Sequence, residues 1–335
     1  MSLVLGVDGG NSKAIALVAR ADGTIIGAAR RLGSADIYAR GPEAAIATVA
    51  AAVAEALGTA GAHHRDVGAA TFSMAGADWP EDMSLLRTAI VRRGIANRPE
   101  VVNDAIGALF GAVPSGPAVV VSLGTGAATG ARGPDDRTWH SSFWQTPQGA
   151  AELAQRAVRA VADADLGRAP ATELSASLTT ATGDAGAEAL LHRFTRRHGV
   201  ETGTVGAVVR ALLQTAEGGD AAAVELVERH GAGLGAMAAA AARRVGAQDS
   251  GYALAFCGGM ARAGTQMLLD AAVAAIVRAG QAPRLIAPRW EPAIGALVIG
   301  LRAGADGIAD DVSLRLDATA PGPELYDVGV EVSSA

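Results

Sequence analysis

The strongest constraint on the fold is a strand–glycine turn–strand pattern that occurs twice. In the first copy, the apolar run SLVLGVD (2–8) is followed by the turn GGNS and by the run KAIALVAR (13–20). In the second copy, AVVVSL is followed by GTG and AATGAR, about 115 residues later. Strands joined by such short turns pair as antiparallel hairpins. The repeat predicts two halves that open with the same kind of hairpin.

Length and composition fit a soluble chain of two domains. The 335 residues allow about two domains of roughly 150 residues, and the 50% apolar content can supply two cores. The net charge of −6, without a basic stripe, argues against a nucleic-acid partner. The start lacks a basic segment, and Gly and Pro interrupt the uncharged residues 105–131. We therefore expect a cytoplasmic protein without a signal peptide or membrane span.

The remainder of the first half predicts alternating strands and helices. IIGAARR, after the turn DGT, is a third strand that completes a meander. Helices are then predicted over 43–57, 80–92 and IGALFGAV, and strands over 67–76 and 100–102. The predicted order is β-β-β-α-β-α-β-α.

The second half restarts at Pro117 and contains more helix. After its hairpin we predict a turn at 132–137, helices over most of 149–247, a strand over 252–259, a helix over 262–278, a strand RLIAP and a helix over 291–303. We predict an N-terminal domain of residues 1–113 plus 291–303. A second domain, with a helical insertion, covers 114–290. Residues 304–335 are predicted to be a partly ordered tail.

The first glycine turn is a candidate phosphate-binding loop. Paired glycines allow close backbone approach to a ligand, and successive amides can form an anion-binding concavity. Asp8, at the end of the strand, could hold a hydrated Mg²⁺. An ordinary hairpin turn is the alternative reading. Lys13 is the only lysine among 28 basic residues. The candidate phosphate-binding residues here are Gly9, Gly10, Asn11, Ser12 and Lys13.

Two further glycine turns are candidates for nucleotide contacts. Gly124, Thr125 and Gly126 fit a phosphate cradle within a hairpin, although neither the P-loop nor the dinucleotide-binding pattern is present. Gly258 and Gly259 lie between a strand and a helix, where backbone amides can contact an anion. Each turn could also be purely structural.

The segment VVNDAIG contains the candidate catalytic residue. Asp104 follows a strand, at the edge where open α/β sheets bind ligands. A carboxylate there can orient and deprotonate a hydroxyl. The alternative is a helix N-cap, a position that suits both Asn103 and Asp104.

Together these segments resemble the sugar kinase/Hsp70/actin ATPase superfamily over about residues 3–302. The closer resemblance is to its BadF/BadG-type ATPase branch, which includes N-acetylglucosamine kinases. The segments that carry it are LGVDGGNSKAIALV, SMAGADWPED, VVNDAIGAL, VVVSLGTGAATG, FCGGMARAG and PAIGALVIGL. The resemblance implies an α/β fold of two RNase-H-like domains with ATP and Mg²⁺ in the cleft between them.

The resemblance also implies roles for the candidate residues. Asp104 would be the base toward the acceptor hydroxyl, and Asp8 would act on the hydrated metal. Gly9 to Lys13 and Gly124 to Gly126 would hold the phosphates, which phosphoryl transfer requires for positioning. The residues implied on the adenosine side are Gly258, Gly259 and Met260.

The sequence departs from the family pattern around the acceptor. N-acetylglucosamine kinases carry Gly-Asp-Glu-Gly-Ser shortly after the second phosphate motif, whereas this chain has TPQGA at 146–150. The usual Asn after the third strand is Asp36 here. Nearby Trp139, Phe143 and Trp144 could stack on a sugar or belong to the core. The predicted acceptor-side residues are Asp36, Asn103, Asp104 and Gln148.

The leading functional prediction is ATP-dependent phosphorylation of a small sugar, with an amino sugar such as N-acetylglucosamine or a relative as acceptor. The alternative is a kinase-like regulator that binds nucleotide but has an altered acceptor site. An activase for a radical dehydratase, the other role in this branch, needs a cysteine pair in each subunit, and Cys257 is the only cysteine. The family resemblance and the Ala-rich helical segment 205–245 favour a homodimer.

Overall fold

A computed structural model describes residues 2–197, 199–262, 266–302 and 308–326. Ten strands in this part of the chain form two five-stranded sheets, ordered 3-2-1-4-5 and 8-7-6-9-10 from edge to edge. In each sheet the first three strands in chain order form an antiparallel meander. The fourth strand then pairs parallel to the first, and the fifth pairs parallel to the fourth. The two sheets therefore have the same winding, which confirms the predicted repeat.

The strand bounds follow the predicted meanders closely. The first sheet contains β1 (Leu3–Gly9), β2 (Lys13–Arg20), β3 (Ile25–Leu32), β4 (Val67–Met74) and β5 (Pro99–Asn103). The second contains β6 (Ala118–Leu123), β7 (Ala127–Arg132), β8 (Thr138–His140), β9 (Ala253–Cys257) and β10 (Arg284–Leu285). Most of the predicted RLIAP strand is thus irregular.

The helices of the first half are α1 (Ile37–Arg40), α2 (Pro42–Thr59), α3 (Pro80–Arg92) and α4 (Asp104–Ala112). The helices between β8 and β9, where a helical insertion was predicted, are α5 (Ala150–Asp165), α6 (Leu174–Thr182), α7 (Ala187–Thr195), α8 (Thr202–Glu217) and α9 (Ala221–Arg244). The remaining helices are α10 (Gly259–Arg262), α11 (Gln266–Arg278), α12 (Pro292–Arg302) and α13 (Asp310–Thr319). Short 3-10 turns cover 64–66, 142–144 and 323–325. Along the described ranges, no helix has both the length and the apolar character needed to cross a membrane.

Helices α4 and α12 pack between the two sheets. A Cβ at Gly295 would lie 1.9 Å from the carbonyl oxygen of Gly107, so the two backbones touch at this crossing. Helix α12 also contacts β1, where a Cβ at Gly6 would lie 2.6 Å from the amide nitrogen of Leu297. Their apolar cluster includes Val4 of the first sheet and Val120 of the second. This packing supports the proposal that 291–303 returns to the N-terminal domain; residue 303 itself lies outside the described residues.

The helix predicted over 262–278 is described in two parts, α10 and α11, because residues 263–265 lie outside the described part. The structure also adds to the sequence prediction in the C-terminal tail. The predicted tail contains a helix, α13, whose Thr319 Oγ1 accepts a hydrogen bond from Ile25 N at 2.9 Å. Helix α13 was missed because its buried face is narrow: only Ser313 and Leu316, three positions apart, are buried.

Candidate active site

The first glycine loop joins β1 to β2. The amide of Gly10 donates to the carbonyl of Lys13 at 2.9 Å and so closes the turn. A Cβ at Gly10 would meet only that carbonyl, at 3.6 Å. Because little protein covers this face of the loop, a phosphate could approach the backbone closely.

The second glycine loop joins β6 to β7 and is anchored by α5. The carbonyls of Gly124 and Thr125 each accept a hydrogen bond at 3.0 Å, from the amides of Ala150 and Ala151 respectively. A Cβ at Gly149 would lie 2.1 Å from the carbonyl oxygen of Gly126, so the loop rests directly on Gly149. With its carbonyls turned toward α5, the loop can present its amide edge to an anion.

The two glycine loops face each other. A Cβ on Gly126 would lie 3.8 Å from Nδ2 of Asn11, which belongs to the first loop. The same point lies 3.6 Å from Oε1 of Gln148. The structure therefore brings the two predicted phosphate loops together, across the junction of the two sheets.

Gln148 contacts the second glycine loop. Its Oε1 accepts from the amide of Ala127 at 3.3 Å, and its Nε2 donates to the carbonyl of Gln145 at 2.7 Å. Its backbone carbonyl contacts His230 Nε2 at 2.8 Å. Both ends of the side chain are thus engaged, and Oε1 holds the end of the second loop; the predicted role of Gln148 at the acceptor stays a prediction. A strand-and-turn pattern cannot show which way such a side chain points.

Asp8 lies at the end of β1 and is partly buried. Burial raises its pKa to about 6; the charge of Lys13 opposes this shift, and that of Glu291 adds to it. Glu291 precedes α12 and was not a predicted site residue. Its only sequence signal was its position beside Pro292, at the start of a helix. The shift follows from burial, which disfavours the charged form of this carboxylate.

Asp104 begins α4, and Asn103 is the N-cap: its Oδ1 accepts from the amide of Ala105 at 3.0 Å. Burial raises the pKa of Asp104 to about 7, with further contributions from the charges of Asp8 and Asp78. The capping alternative thus applies to Asn103. A carboxyl group with a pKa near 7 is suited to exchange protons with a hydroxyl group.

Two further carboxylates, Asp78 and Asp36, lie near enough to Asp104 for their charges to raise its pKa. Asn103 Nδ2 donates to Asp78 Oδ1 at 2.9 Å, and Asp36 Oδ1 accepts from Tyr38 N at 2.8 Å. Asp78 was noted in the sequence only as a helix opener. Its place after the end of β4, beside β5, is the signal that could have identified it.

In the third glycine turn, Gly258 is required by the backbone, whereas the space around Gly259 is open. Gly258 has φ +92°, and a Cβ there would lie 2.5 Å from the carbonyl oxygen of Leu123, so glycine is required. A Cβ at Gly259 would meet nothing within 4 Å. The side chain of Met260 is buried in the core of the second half, which leaves only its backbone for a ligand. A cavity of about 330 Å³ lies beside Gly258 and is also lined by Arg262 and Glu291.

The three aromatic residues near the altered stretch have separate environments. Trp139 packs against the core of the second half. Phe143 and Trp144 are 59% and 62% exposed, and Phe143 contacts Tyr38 and Trp79 of the first half. The described residues contain no cluster of three or more acidic, His or Cys side chains that could enclose a metal ion.

Known proteins show the same fold. The chain aligns over 90% of its length with 99% of the structure of a candidate N-acetylglucosamine kinase from Chromobacterium violaceum, at 24% identity and a TM-score of 0.66. It aligns over 88% of its length with 97% of a ROK family glucokinase from Streptomyces griseus in complex with glucose and AMPPNP, at 18% identity and a TM-score of 0.59. These likenesses confirm the predicted actin-like ATPase fold.

Sequence comparison assigns the family. An N-acetylmuramic acid/N-acetylglucosamine kinase of Clostridium acetobutylicum is 29% identical over 144 residues, which are 43% of this chain and 47% of that protein. The match thus spans about half the length of this curated relative. The sequence profile described as the BadF/BadG/BcrA/BcrD ATPase family matches residues 5–300, and the chain belongs to this ATPase family.

Proposed function

We propose that the protein transfers the γ-phosphoryl group of ATP to a hydroxyl group of a small sugar. The observation that carries this proposal is the position of Asp104. Its carboxyl group lies close enough to Asp8 for their charges to interact, beside two facing glycine loops. Phosphoryl transfer depends mainly on positioning and charge stabilisation, and this arrangement offers both.

The residues present fit ATP. Three positions where a side chain would project from the loops are open: at Gly10, Gly124 and Gly259 a Cβ would meet no atom closer than 3.6 Å. We propose that Gly9 to Lys13 and Gly124 to Gly126 hold the phosphates. The backbone of Gly258 to Met260 would line the adenosine side.

The residues also fit Mg²⁺. This ion keeps most of its waters and takes few protein carboxylates, which suits Asp8 better than an all-protein cage. When bound, Mg²⁺ would neutralise charge on the phosphates. A cation bound beside Asp8 would lower the pKa of this carboxyl group from its raised value and favour the charged form.

In the proposed reaction the oxygen of the acceptor hydroxyl attacks the γ-phosphorus, and Asp104 accepts the proton of that hydroxyl. The bond from that phosphorus to the ADP oxygen breaks, and ADP leaves. The amide of Asn103 holds the start of α4 and Asp78 in place, so that the hydroxyl can be oriented beside Asp104. Asn103 and Asp78 thus help to orient the acceptor hydroxyl, and Asp104 accepts its proton.

We propose an amino sugar such as N-acetylglucosamine, or a relative, as acceptor. The names of the Clostridium acetobutylicum and Chromobacterium violaceum proteins support this class. The kinase-like regulator is the alternative, favoured by the lack of carboxylates in TPQGA at 146–150. A regulator of this kind would bind nucleotide and sugar without turnover.

A screen of ATP consumption distinguishes the two functions. The purified chain is incubated with ATP, Mg²⁺ and, separately, amino sugars, plain sugars, cyclitols and nucleosides. The kinase proposal predicts ADP release with one sugar class, matched by an equal amount of phosphorylated sugar in the mass spectrum. ATP binding without acceptor-dependent turnover on any compound would support the regulator instead.

A further inference from the structure

The backbone of Gln148, next to the second glycine loop, is held by side chains of two helices. Gly149, the N-cap of α5, has no side chain with which to fix the start of that helix. Glu152 Oε2 accepts a hydrogen bond from the amide of Gln148 at 2.5 Å, and His230 Nε2 lies 2.8 Å from the carbonyl oxygen of Gln148. The peptide between Gln148 and Gly149 is therefore oriented by side chains of α5 and α9.

His230 is the hydrogen-bond donor in its contact. A carbonyl oxygen can only accept, so Nε2 of His230 carries the hydrogen and Nδ1 carries none. The residue is fully buried, and its Nδ1 has no hydrogen-bond partner among the described residues. Burial lowers the pKa of His230, so the ring is neutral near pH 7. A neutral, buried imidazole thus donates to the carbonyl of Gln148.

The path from His230 to the glycine loop is short. The carbonyl of Gln148 belongs to the peptide that leads into Gly149. A Cβ at Gly149 would lie 2.1 Å from the carbonyl oxygen of Gly126 and 2.4 Å from that of Gly124, so the loop rests on the backbone of Gly149 without a gap. A rotation of this peptide must therefore move the loop, whose amides are the groups proposed to contact phosphate.

Helix α9 has one other close contact with this segment, between Gly233 and Pro147. A Cβ at Gly233 would lie 2.5 Å from Cδ of Pro147, so the helix and the proline ring are packed closely. Such packing sets a distance, whereas a hydrogen bond also sets a direction. Among the side chains of α9, all of which lie in the described part of the chain, only that of His230 hydrogen-bonds to residues 146–149.

We propose that His230 is a positioning residue for the nucleotide: together with Glu152 it fixes the backbone of Gln148, and through Gly149 it fixes the second glycine loop. His230 acts through the loop and not by contact with ATP. This inference rests on the proposed function, in which Gly124 to Gly126 hold the phosphates of ATP. It assigns to α9, a helix outside both glycine loops, a part in nucleotide binding.

Two variants of His230 separate the hydrogen bond from general stability. The amide nitrogen of glutamine reaches about as far as Nε2, whereas that of asparagine reaches only as far as Nδ1. Both variants bury an amide at the same place, so both should lower the free energy of unfolding in urea. ATP affinity, measured by calorimetry with Mg²⁺ and without acceptor, should fall by about tenfold in His230→Asn, because the carbonyl of Gln148 loses its donor. In His230→Gln it should stay within about twofold of the wild type.

His64→Leu is the matched control. Nδ1 of His64 lies 3.0 Å from the carbonyl oxygen of Ile95, before β4 and at the opposite end of that strand from Met74, which pairs with Gly9. This variant also loses a histidine–carbonyl contact, but its ATP affinity should equal that of the wild type. Equal ATP affinity of His230→Asn and His230→Gln overturns the inference and leaves the sugar kinase function intact.

Glu152→Ala keeps the inference testable if His230→Asn does not fold. The side chain of Glu152 is 30% exposed, so the fold should tolerate its loss, which frees the amide of Gln148. Wild-type ATP affinity in this variant would then overturn the inference. A wild-type chain that does not bind ATP overturns the inference and the proposed function together. ATP binding with the expected differences between variants, but without turnover of any sugar, overturns the function alone.

Discussion

The carboxyl group of Asp104 has a pKa raised to about 7, against 3.8 for an ordinary aspartate, chiefly through burial. The folded chain therefore holds a proton on Asp104 between about pH 4 and pH 7, where the unfolded chain has released it. Because the folded state then binds more protons than the unfolded state, this group lowers stability as pH rises through that window.

Asp104→Asn should remove this effect. Relative to the wild type, the free energy of unfolding of the variant should gain about 1–2 kcal/mol between pH 4.5 and pH 8, a value reduced from the full shift because the side chain is only partly buried. Urea denaturation at both pH values measures it. Asp22→Asn is the control of opposite sign, since hydrogen bonds from Thr24 lower the pKa of Asp22. If the free energy of unfolding depends on pH equally in Asp104→Asn and in the wild type, Asp104 does not lower stability as pH rises.

Among single residues, the sequence was informative where a side chain follows a strand end. Asp8 and Asp104 could be selected because the ends of neighbouring strands meet at one sheet edge. Asp78 and Glu291 could not be placed, because their proximity to these residues depends on how α3 and α12 pack. Gln148 was predicted near the acceptor because TPQGA occupies the place of a family stretch, and the sequence could not show that its Oε1 also accepts from Ala127 at the end of the second loop.

At the scale of elements, the contact between α5 and the second glycine loop is the most sensitive. Gly149→Ala would place a Cβ 2.1 Å from the carbonyl oxygen of Gly126, which is backbone and cannot rotate away. The loop must shift, and we expect ATP affinity to fall by about tenfold or more, as when positioning of the phosphates is lost. Nucleotide titration calorimetry measures it.

Gly186→Ala is the matched control for this prediction. Gly186 is also a glycine N-cap, at α7, but a Cβ there would meet nothing within 4 Å. Its ATP affinity should equal that of the wild type. If Gly149→Ala binds ATP as tightly as Gly186→Ala does, the second loop does not hold the nucleotide.

The elements themselves were predictable where their pattern was strong. The meander strands and the long helix α2 follow directly from apolar runs and short glycine turns. Helix α13 was not predictable, because its stability comes from tertiary contacts such as the hydrogen bond from Trp290 Nε1 to Asp317 Oδ1, at 2.6 Å. Local sequence carries little information about such long-range contacts.

For the whole molecule, the repeated hairpin was sufficient to predict two similarly wound halves, but not how they join. The junction depends on glycines at the crossing of α4 and α12, such as Gly107 and Gly295, which allow backbone contact. In the sequence these glycines cannot be distinguished from the many others, since 43 residues are glycine.

The assembled protein is predicted to be a homodimer. Helix α9 carries small side chains along an open groove of about 440 Å³, lined by Gly233, Ala236 and Ala240 and by Pro147. Small residues allow close approach of a second helix. Light scattering at micromolar concentration should give twice the chain mass of 33.4 kDa. A mass of one chain under these conditions would rule out a stable dimer.

The most direct test of the account is the rate of phosphoryl transfer by Asp104→Asn to the acceptor found in the screen, with ATP affinity measured in parallel. The amide keeps the size of the side chain, and Asn103 still caps α4. We expect wild-type ATP affinity and a transfer rate lower by about 10²–10⁴, the usual contribution of general acid–base assistance. Asp8→Asn should instead weaken Mg²⁺-dependent ATP binding. Transfer at the wild-type rate by Asp104→Asn would contradict the assignment of Asp104 as the base.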